Sequence, residues 1–182
     1  MKHIDILPMG DVEPDILNLL SRHLAELFPY EIRALKSLAK PIYAFSFIRD
    51  QYFSSKILSE IINYTSSDTV KILGVVDVDL YIPIFSYVFG EAHLRGKAAV
   101  ISLYRLRPEF YGLEPNRELL FNRVIKEAIH ELGHTFGLTH CLDENCVMYF
   151  SHSIWHTDTK KSSFCEDCQR IINPRFVLKE EG

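Results

Sequence analysis

The chain has 182 residues, of which 47% are hydrophobic and 24% are charged, and its formal net charge is −4. This length and composition fit one globular domain with a buried core, and they exclude a disordered or fibrous chain. Because the charge balance is acidic and the sequence has no basic stripe, we expect no nucleic-acid partner.

Membrane insertion and secretion leave recognisable apolar segments, and the sequence shows neither kind. No apolar stretch approaches the roughly 20 residues that cross a bilayer. The N-terminal residues lack the apolar core of a secretory signal. We therefore expect a soluble, cytoplasmic protein that does not associate with membranes, and a monomer is the simplest oligomeric state.

The first two thirds of the chain alternate between strand-like and helix-like segments. Continuous or alternating apolar runs predict strands at 3–9, 41–48, 69–80 and 98–106, with more sheet between 81 and 97. Helical spacing of apolar residues predicts helices at 13–28 and 54–64. The run at 69–80 is apolar enough for a central strand.

The strongest helical pattern covers residues 116–136, where apolar residues recur four apart at Leu120, Val124, Ala128 and Leu132. After Gly137 the chain turns loop-like and rich in Cys, His, Asp and Ser. No linker or repeat divides the chain. The sequence therefore predicts a single α/β domain over 1–182, with sheet and helices in 1–137 and an irregular C-terminal part in 138–182.

Three histidines within the stretch HELGHTFGLTH predict a metal site. His130 and His134 are four residues apart, so on a helix they lie on one face, about 6 Å apart along the axis. A turn at Gly137 can bring His140 back as a third ligand. Three neutral imidazoles leave a tetrahedral zinc ion with one open position, as in a catalytic site.

Glu131 follows the first ligand directly and is the candidate general base. A carboxylate at this position can deprotonate a zinc-bound water that attacks a peptide carbonyl, and it can then protonate the leaving amine. A single helical histidine is usually a core or surface residue. The combination of three histidines, a glutamate and a glycine instead matches the extended metzincin signature.

All four cysteines follow residue 140, at Cys141, Cys146, Cys165 and Cys168. Two thiolate pairs separated by a loop can form a closed, structural zinc site. The alternatives are inert buried thiols or a redox-active Cys165/Cys168 pair, which would need a strand-to-helix context of the thioredoxin type.

The stretch HELGHTFGLTHC, the CVM triplet at 146–148 and the CEDC motif together resemble the archaemetzincin family of zinc metallopeptidases. The resemblance covers 130–168, and the segment 76–107 is also similar to the sheet region of that family. It implies a metzincin-like α/β fold, in which a twisted, mixed, five-stranded sheet packs on helices that include an active-site helix. It also implies two zinc ions per chain, one catalytic and one structural.

By position in the motif, the resemblance makes Met148 the methionine of the turn beneath the catalytic metal. Without the motif, Met148 would be read as an ordinary core residue. Some metzincins place a tyrosine ligand two residues after this methionine. Here Tyr149 is adjacent to Met148 and Phe150 occupies the second position, so that ligand is not expected.

Other histidines are weaker candidates. His152 and His156 could line the cleft or bind a metal, but we interpret them as loop residues, and His93 is expected at a turn between strands. The strand around 100–104 is a candidate edge for pairing with an extended peptide.

Three functions are compatible with these motifs. The first is a zinc metallopeptidase that acts on peptide or protein substrates. The second is a catalytically weak, zinc-containing module that binds peptides or proteins; Glu131 argues against it, because a purely structural site needs no base. The third is a cysteine-rich finger for nucleic acid, which the acidic charge disfavours.

Overall fold

A five-stranded mixed sheet lies at the centre of the computed structural model, which describes residues 1–177. The strands of these residues are β1 (His3–Met9), β2 (Glu31–Ala34), β3 (Phe45–Ser46), β4 (Gln51–Phe53), β5 (Thr69–Val76), β6 (Leu80–Tyr81), β7 (Gly90–Ala92) and β8 (Ala98–Ser102). The helices are α1 (Pro14–Leu27), α2 (Ser54–Ile61), α3 (Arg117–Thr135), α4 (Ile154–Thr159) and α5 (Glu166–Val177).

The main sheet has the strand order β2-β1-β5-β8-β7. The first four of these strands pair in parallel, and β7 pairs antiparallel with β8 as a hairpin. Every residue of β1, β5 and β8 is buried, which explains their nearly continuous apolar sequences. The predicted five-stranded mixed sheet is confirmed, and β5 is a central strand as expected.

Helices cover both faces of this sheet. Helices α1 and α3 share one apolar cluster with alternate residues of the strands, such as Leu73 and Val75. Helix α2 packs on the opposite face against a second cluster that includes Ile72 and Val76. Adjacent residues of β5 therefore face different helices, as the two-residue period of a strand requires.

Two regions differ from the sequence prediction. The strand predicted at 41–48 is wrong: a 3₁₀ turn, Ile42–Ala44, precedes the two-residue strand β3, which belongs to a separate small sheet of order β3-β4-β6. Phe47 and Ile48 are 92% and 98% exposed, so their β propensity has no buried surface to pack on. The C-terminal part is more regular than predicted, because it contains α4 and α5.

Strand β2 was absent from the prediction because Glu31–Ala34 is short and only partly apolar.

Within residues 1–177, no helix combines the length and apolarity needed to cross a membrane.

Candidate active site

Helix α3 carries two of the predicted metal ligands, and the chain reversal at its C-terminal end brings the third predicted ligand back toward them. Its start is capped by Asn116, whose Oδ1 accepts a hydrogen bond from the N–H of Leu119 at 2.9 Å. At its end Gly137 has φ +93°, and the N–H of Leu138 donates to the carbonyl of Gly133 at 3.0 Å. This is a Schellman end, which reverses the chain toward the helix.

The side chains of His130, His134 and His140 converge, since their ligand nitrogens all lie within 4.8 Å of one another. The two Nε2 atoms of His130 and His134 are 3.1 Å apart. For zinc–nitrogen bonds of about 2.0–2.1 Å, the edge of a ligand tetrahedron is roughly 3.3 Å. The three predicted ligands therefore have the spacing that a zinc ion requires.

Backbone carbonyl groups orient two of these imidazoles. Nδ1 of His130 is 2.8 Å from the carbonyl oxygen of Val147, and Nδ1 of His134 is 2.8 Å from that of Leu138. A carbonyl only accepts, so each Nδ1 carries the proton and each Nε2 presents a lone pair to the cluster. Two lone pairs 3.1 Å apart repel each other unless a cation lies between them, so the donor set fits a metal.

Burial also keeps the three histidines neutral. Burial is the main cause that lowers the pKa of His130 and of His134. For His140, burial is the largest cause and the nearby His134 the second, and together they lower its pKa from an ordinary 6.5 to about 4. Neutral imidazole is the form that binds a metal ion.

These shifts predict how the metal-free protein responds to acid. Between about pH 6.5 and 4 the unfolded chain binds more protons at these histidines than the folded chain does. The free energy of unfolding should therefore fall as the pH is lowered through this range. Urea denaturation of chelator-treated protein measures it. His140→Gln should show a weaker pH dependence, and identical profiles for the two proteins would contradict the assignment.

The candidate base Glu131 is buried, with 6% of its surface exposed. Burial, followed by the nearby Glu127 and Glu91, raises its pKa well above the ordinary value, and Lys160 opposes the shift. The side chain lies against Gly90 of β7: a Cβ atom at Gly90 would be 2.7 Å from Cγ of Glu131 and 2.9 Å from its Oε1. Gly90 thus provides the space that Glu131 occupies.

A Cβ atom at Gly90 would also lie 2.7 Å from the carbonyl oxygen of Val100, so Gly90→Ala should shift β7 against β8 as well as displace the carboxyl group of Glu131. We expect kcat for peptide hydrolysis to fall by about 10- to 100-fold, because small misplacements of catalytic groups are costly. Bound zinc, measured by mass spectrometry, should be unchanged. Gly74→Ala in β5 is the matched control, since its Cβ would meet only ordinary or slightly tight contacts, the nearest at 3.3 Å from Ile61. Equal activity of both variants would show that Gly90 does not position the base.

Met148 is fully buried beneath helix α3. A Cβ atom at Gly133 would lie 2.5 Å from Sδ of Met148. The thioether therefore packs on the helix backbone between the positions of His130 and His134. The role of Met148 as the methionine of the turn beneath a catalytic metal stays a prediction.

The four cysteines form a second cluster. Sγ of Cys141 lies 3.7 Å from Sγ of Cys165, Sγ of Cys146 lies 3.7 Å from Sγ of Cys168, and all four sulfur atoms lie within 4.8 Å of one another. With zinc–sulfur bonds of about 2.3 Å, a tetrahedral edge is roughly 3.8 Å. The cluster matches a closed zinc site. In the described residues the element before Cys165 is helix α4, whereas a thioredoxin-type redox pair would directly follow a strand.

Other predicted candidates lie outside both clusters. His152 packs between Phe150 and His156, with ring centroids 4.5 and 5.7 Å away, and His93 lies in the turn between β7 and β8. The edge-strand prediction for 100–104 is wrong, because β8 is paired on both sides. The described edge of the sheet next to the histidines is β7, which the sequence did not reveal.

A cleft of about 370 Å³ opens over the histidine cluster and is lined by β7, Val88 and Phe150. Beside it, a cavity of about 150 Å³ shares His130 and Glu131 with the cleft. Two buried residues of this cavity, Glu127 and Lys160, were not singled out in the sequence. A carboxylate four residues before Glu131 on the same helix face was the available signal for Glu127.

Comparisons with known proteins agree with this geometry. Residues 28–174 match the profile of Peptidase family M54. The archaemetzincin of Methanocaldococcus jannaschii is 46% identical over 174 residues, which are 96% of this chain and 94% of that protein. The crystal structure of archaemetzincin from Archaeoglobus fulgidus has a TM-score of 0.82 at 36% identity and covers 93% of this chain and 99% of that one.

The crystal structure of a zinc-dependent peptidase from Methanocorpusculum labreanum has a TM-score of 0.86 at 28% identity, and it covers 93% of this chain and 100% of that one. The resemblance seen in the sequence motifs is thereby confirmed. The chain belongs to Peptidase family M54, the archaemetzincins, and is a zinc metallopeptidase.

Proposed function

We propose that this chain hydrolyses peptide bonds in the cleft beside β7, with Glu131 as the general base and with zinc held by the three clustered histidines. The observation that carries the proposal is the convergence of one ring nitrogen from each of three histidines, beside a buried carboxyl group. Zinc bound there supplies a Lewis acid that activates water and polarises the substrate carbonyl.

Glu131 takes the proton from the attacking water and delivers it to the amine of the leaving peptide. The packing of its buried side chain against Gly90 supports this role, because it fixes the position of the carboxyl group. Val147 and Leu138 hold His130 and His134 with their Nε2 atoms toward the metal position. Met148 supports helix α3 from below.

We also propose that the four cysteines bind a second, structural zinc ion. Cys141 follows His140 directly, and its N–H donates to the carbonyl of Met148 at 3.0 Å. A closed metal site at Cys141 therefore anchors both the third histidine ligand and the methionine turn. The proposal also takes the sheet and the C-terminal part as a single domain. Its support is that Phe176 of α5 packs on Phe136 at the end of α3, with ring centroids 5.1 Å apart.

The position of Phe150 favours the second candidate, a zinc-containing peptide- or protein-binding module with weak turnover. The ring of Phe150 lies 4.7 Å from that of His140 and 6.2 Å from that of Phe85, measured between centroids. Phe150 therefore narrows the approach to the third ligand.

A cleavage screen of a mixed peptide library, read by mass spectrometry, separates the two functions. The peptidase should produce fragments that disappear with Glu131→Gln. A binding module should retain peptides without cutting them, in both proteins. Fragments that persist at the same rate in Glu131→Gln would contradict the role of the base.

A further inference from the structure

The cavity beside the metal cleft has features of a side-chain binding pocket. It measures about 150 Å³, opens next to His130 and Glu131, and has aromatic walls formed by Phe85, Tyr87, Phe89 and Phe150. A peptide whose scissile bond lies at His130 and Glu131 would place a neighbouring side chain at its mouth. Aromatic walls suit the methylene groups of a side chain of any charge, so the polar groups decide which side chain fits.

Two of these polar groups form a buried ion pair. Glu127 and Lys160 are 3% and 2% exposed, and Nζ of Lys160 lies 3.6 Å from Oε1 of Glu127. The opposite charges cancel at close range. A charged substrate side chain of either sign would therefore be attracted by one member of the pair and repelled by the other, a few ångströms away. The attraction would poorly compensate the free-energy cost of removing that side chain from water.

The ammonium of Lys160 has hydrogen-bonding capacity to spare. Within residues 1–177 its hydrogen-bond acceptor is the carbonyl of Tyr149, at 3.3 Å. Nδ1 of His130 is also near, at 3.5 Å, but it cannot accept, because it donates its own proton to the carbonyl of Val147. An ammonium group has three N–H donors, so donors are left over.

Two oxygen atoms of the pocket are also available. Oε1 of Glu127 accepts a hydrogen bond from the hydroxyl of Thr157 at 3.0 Å, while Oε2 of Glu127 has no donor among the described residues. In the same part of the chain, the buried hydroxyl oxygen of Ser151 has no hydrogen-bond partner. Buried polar atoms without partners are rare; the hydroxyl oxygen of Ser151 is such an atom, and it lines the same cavity as Glu127.

We propose that this cavity is a specificity pocket for an uncharged side chain that both donates and accepts hydrogen bonds, namely the carboxamide of glutamine or asparagine. The amide N–H₂ meets the free oxygen of Glu127, and the amide oxygen meets donors from Lys160 and Ser151. An apolar side chain of the same size gives no partner to Oε2 of Glu127, to the hydroxyl of Ser151 or to the remaining donors of Lys160, which a polar pocket penalises. The inference rests on the proposed function in taking a peptide as the ligand.

The test uses zinc-loaded protein and four hydroxamate compounds that differ only in one side chain: those of glutamine, methionine, glutamate and lysine. Calorimetry measures their affinities. The glutamine compound should bind about 10- to 100-fold tighter than each of the others, as expected for two hydrogen bonds to buried charged groups. Equal affinities, a preference for methionine or a charged side chain, or no binding at all would overturn the proposal.

Variants connect that preference to the named residues. Ser151→Ala should weaken binding of the glutamine compound by about 3- to 10-fold and leave the methionine compound unchanged. Ser162→Ala is the matched control, since Ser162 is exposed and lies outside the cavity. Glu127→Gln removes the negative charge beside Lys160 and should move the preference toward the glutamate compound. If Glu127→Gln fails to fold, Ser151→Ala decides the matter, because Ser151 has no hydrogen bond to lose.

Binding and turnover are measured separately, so the two proposals can fail independently. A glutamine preference without peptide cleavage would keep the pocket and remove the peptidase. Peptide cleavage with equal hydroxamate affinities would keep the peptidase and remove the pocket.

Discussion

Replacing Glu131 with glutamine should lower kcat/KM for peptide hydrolysis by about 10²–10⁴-fold, the range that general acid–base catalysis contributes. The amide keeps the shape of the side chain against Gly90 but cannot take the proton of the attacking water. Zinc at the histidine cluster should remain bound, because the three ligand nitrogens belong to other residues.

Glu118→Gln is the matched control for this experiment. Glu118 lies on the same helix and is exposed, so the loss of its charge should leave kcat/KM unchanged. Full activity of Glu131→Gln with zinc still bound would remove the proposed base. A loss of zinc from Glu131→Gln would show instead that this residue acts on the metal site.

Cys165→Ser should destabilise the protein and weaken zinc binding at the histidines together. A hydroxyl is a poor zinc ligand, so the variant should lose the closed site and the anchor of the loop that carries His140 and Cys141. We expect the thermal midpoint to fall on the order of 10 °C and the affinity of the histidine site for zinc to fall about 10- to 100-fold.

Calorimetric melting and zinc titration with a competing chelator measure the two effects of Cys165→Ser. Ser163→Ala, an exposed neighbour, controls for changes in the local loop. If the melting temperature fell but the affinity of the histidine site did not, the cysteine cluster would stabilise the fold without supporting His140.

The site could be predicted from sequence because its parts are close in the chain and periodic. A four-residue separation on a helix places His130 beside His134, and Gly137 is a residue type that ends a helix and reverses the chain. Both features are local, so they required no knowledge of the sheet. The position of Glu131 next to the first ligand followed from the same helix.

Gly90, Glu127 and Lys160 could not be placed in the same way. Gly90 meets Glu131 only because β7 pairs with β8 and lies across helix α3, a contact between residues about 40 positions apart. A glycine among strand-forming residues signals a close approach, but it does not name the partner. The pairing of Glu127 with Lys160 likewise depends on how the segment after α4 folds back on α3.

Long apolar strands were predicted better than short ones. The buried strands β1 and β5 have apolar sequences that only a covered sheet explains. The run at 41–48 has similar residues, but its neighbours leave Phe47 and Ile48 exposed. Burial, which depends on tertiary contacts, therefore separated the correct prediction from the wrong one.

The central claim is that this chain holds one open, catalytic zinc beside one closed, structural zinc. Native mass spectrometry of freshly purified protein, before and after mild chelation, tests it most directly when peptide cleavage is followed on the same samples. We predict two zinc ions per chain, of which chelation removes one and abolishes cleavage, and re-addition of zinc restores both. A single zinc ion that survives chelation, with cleavage unaffected, would contradict the account.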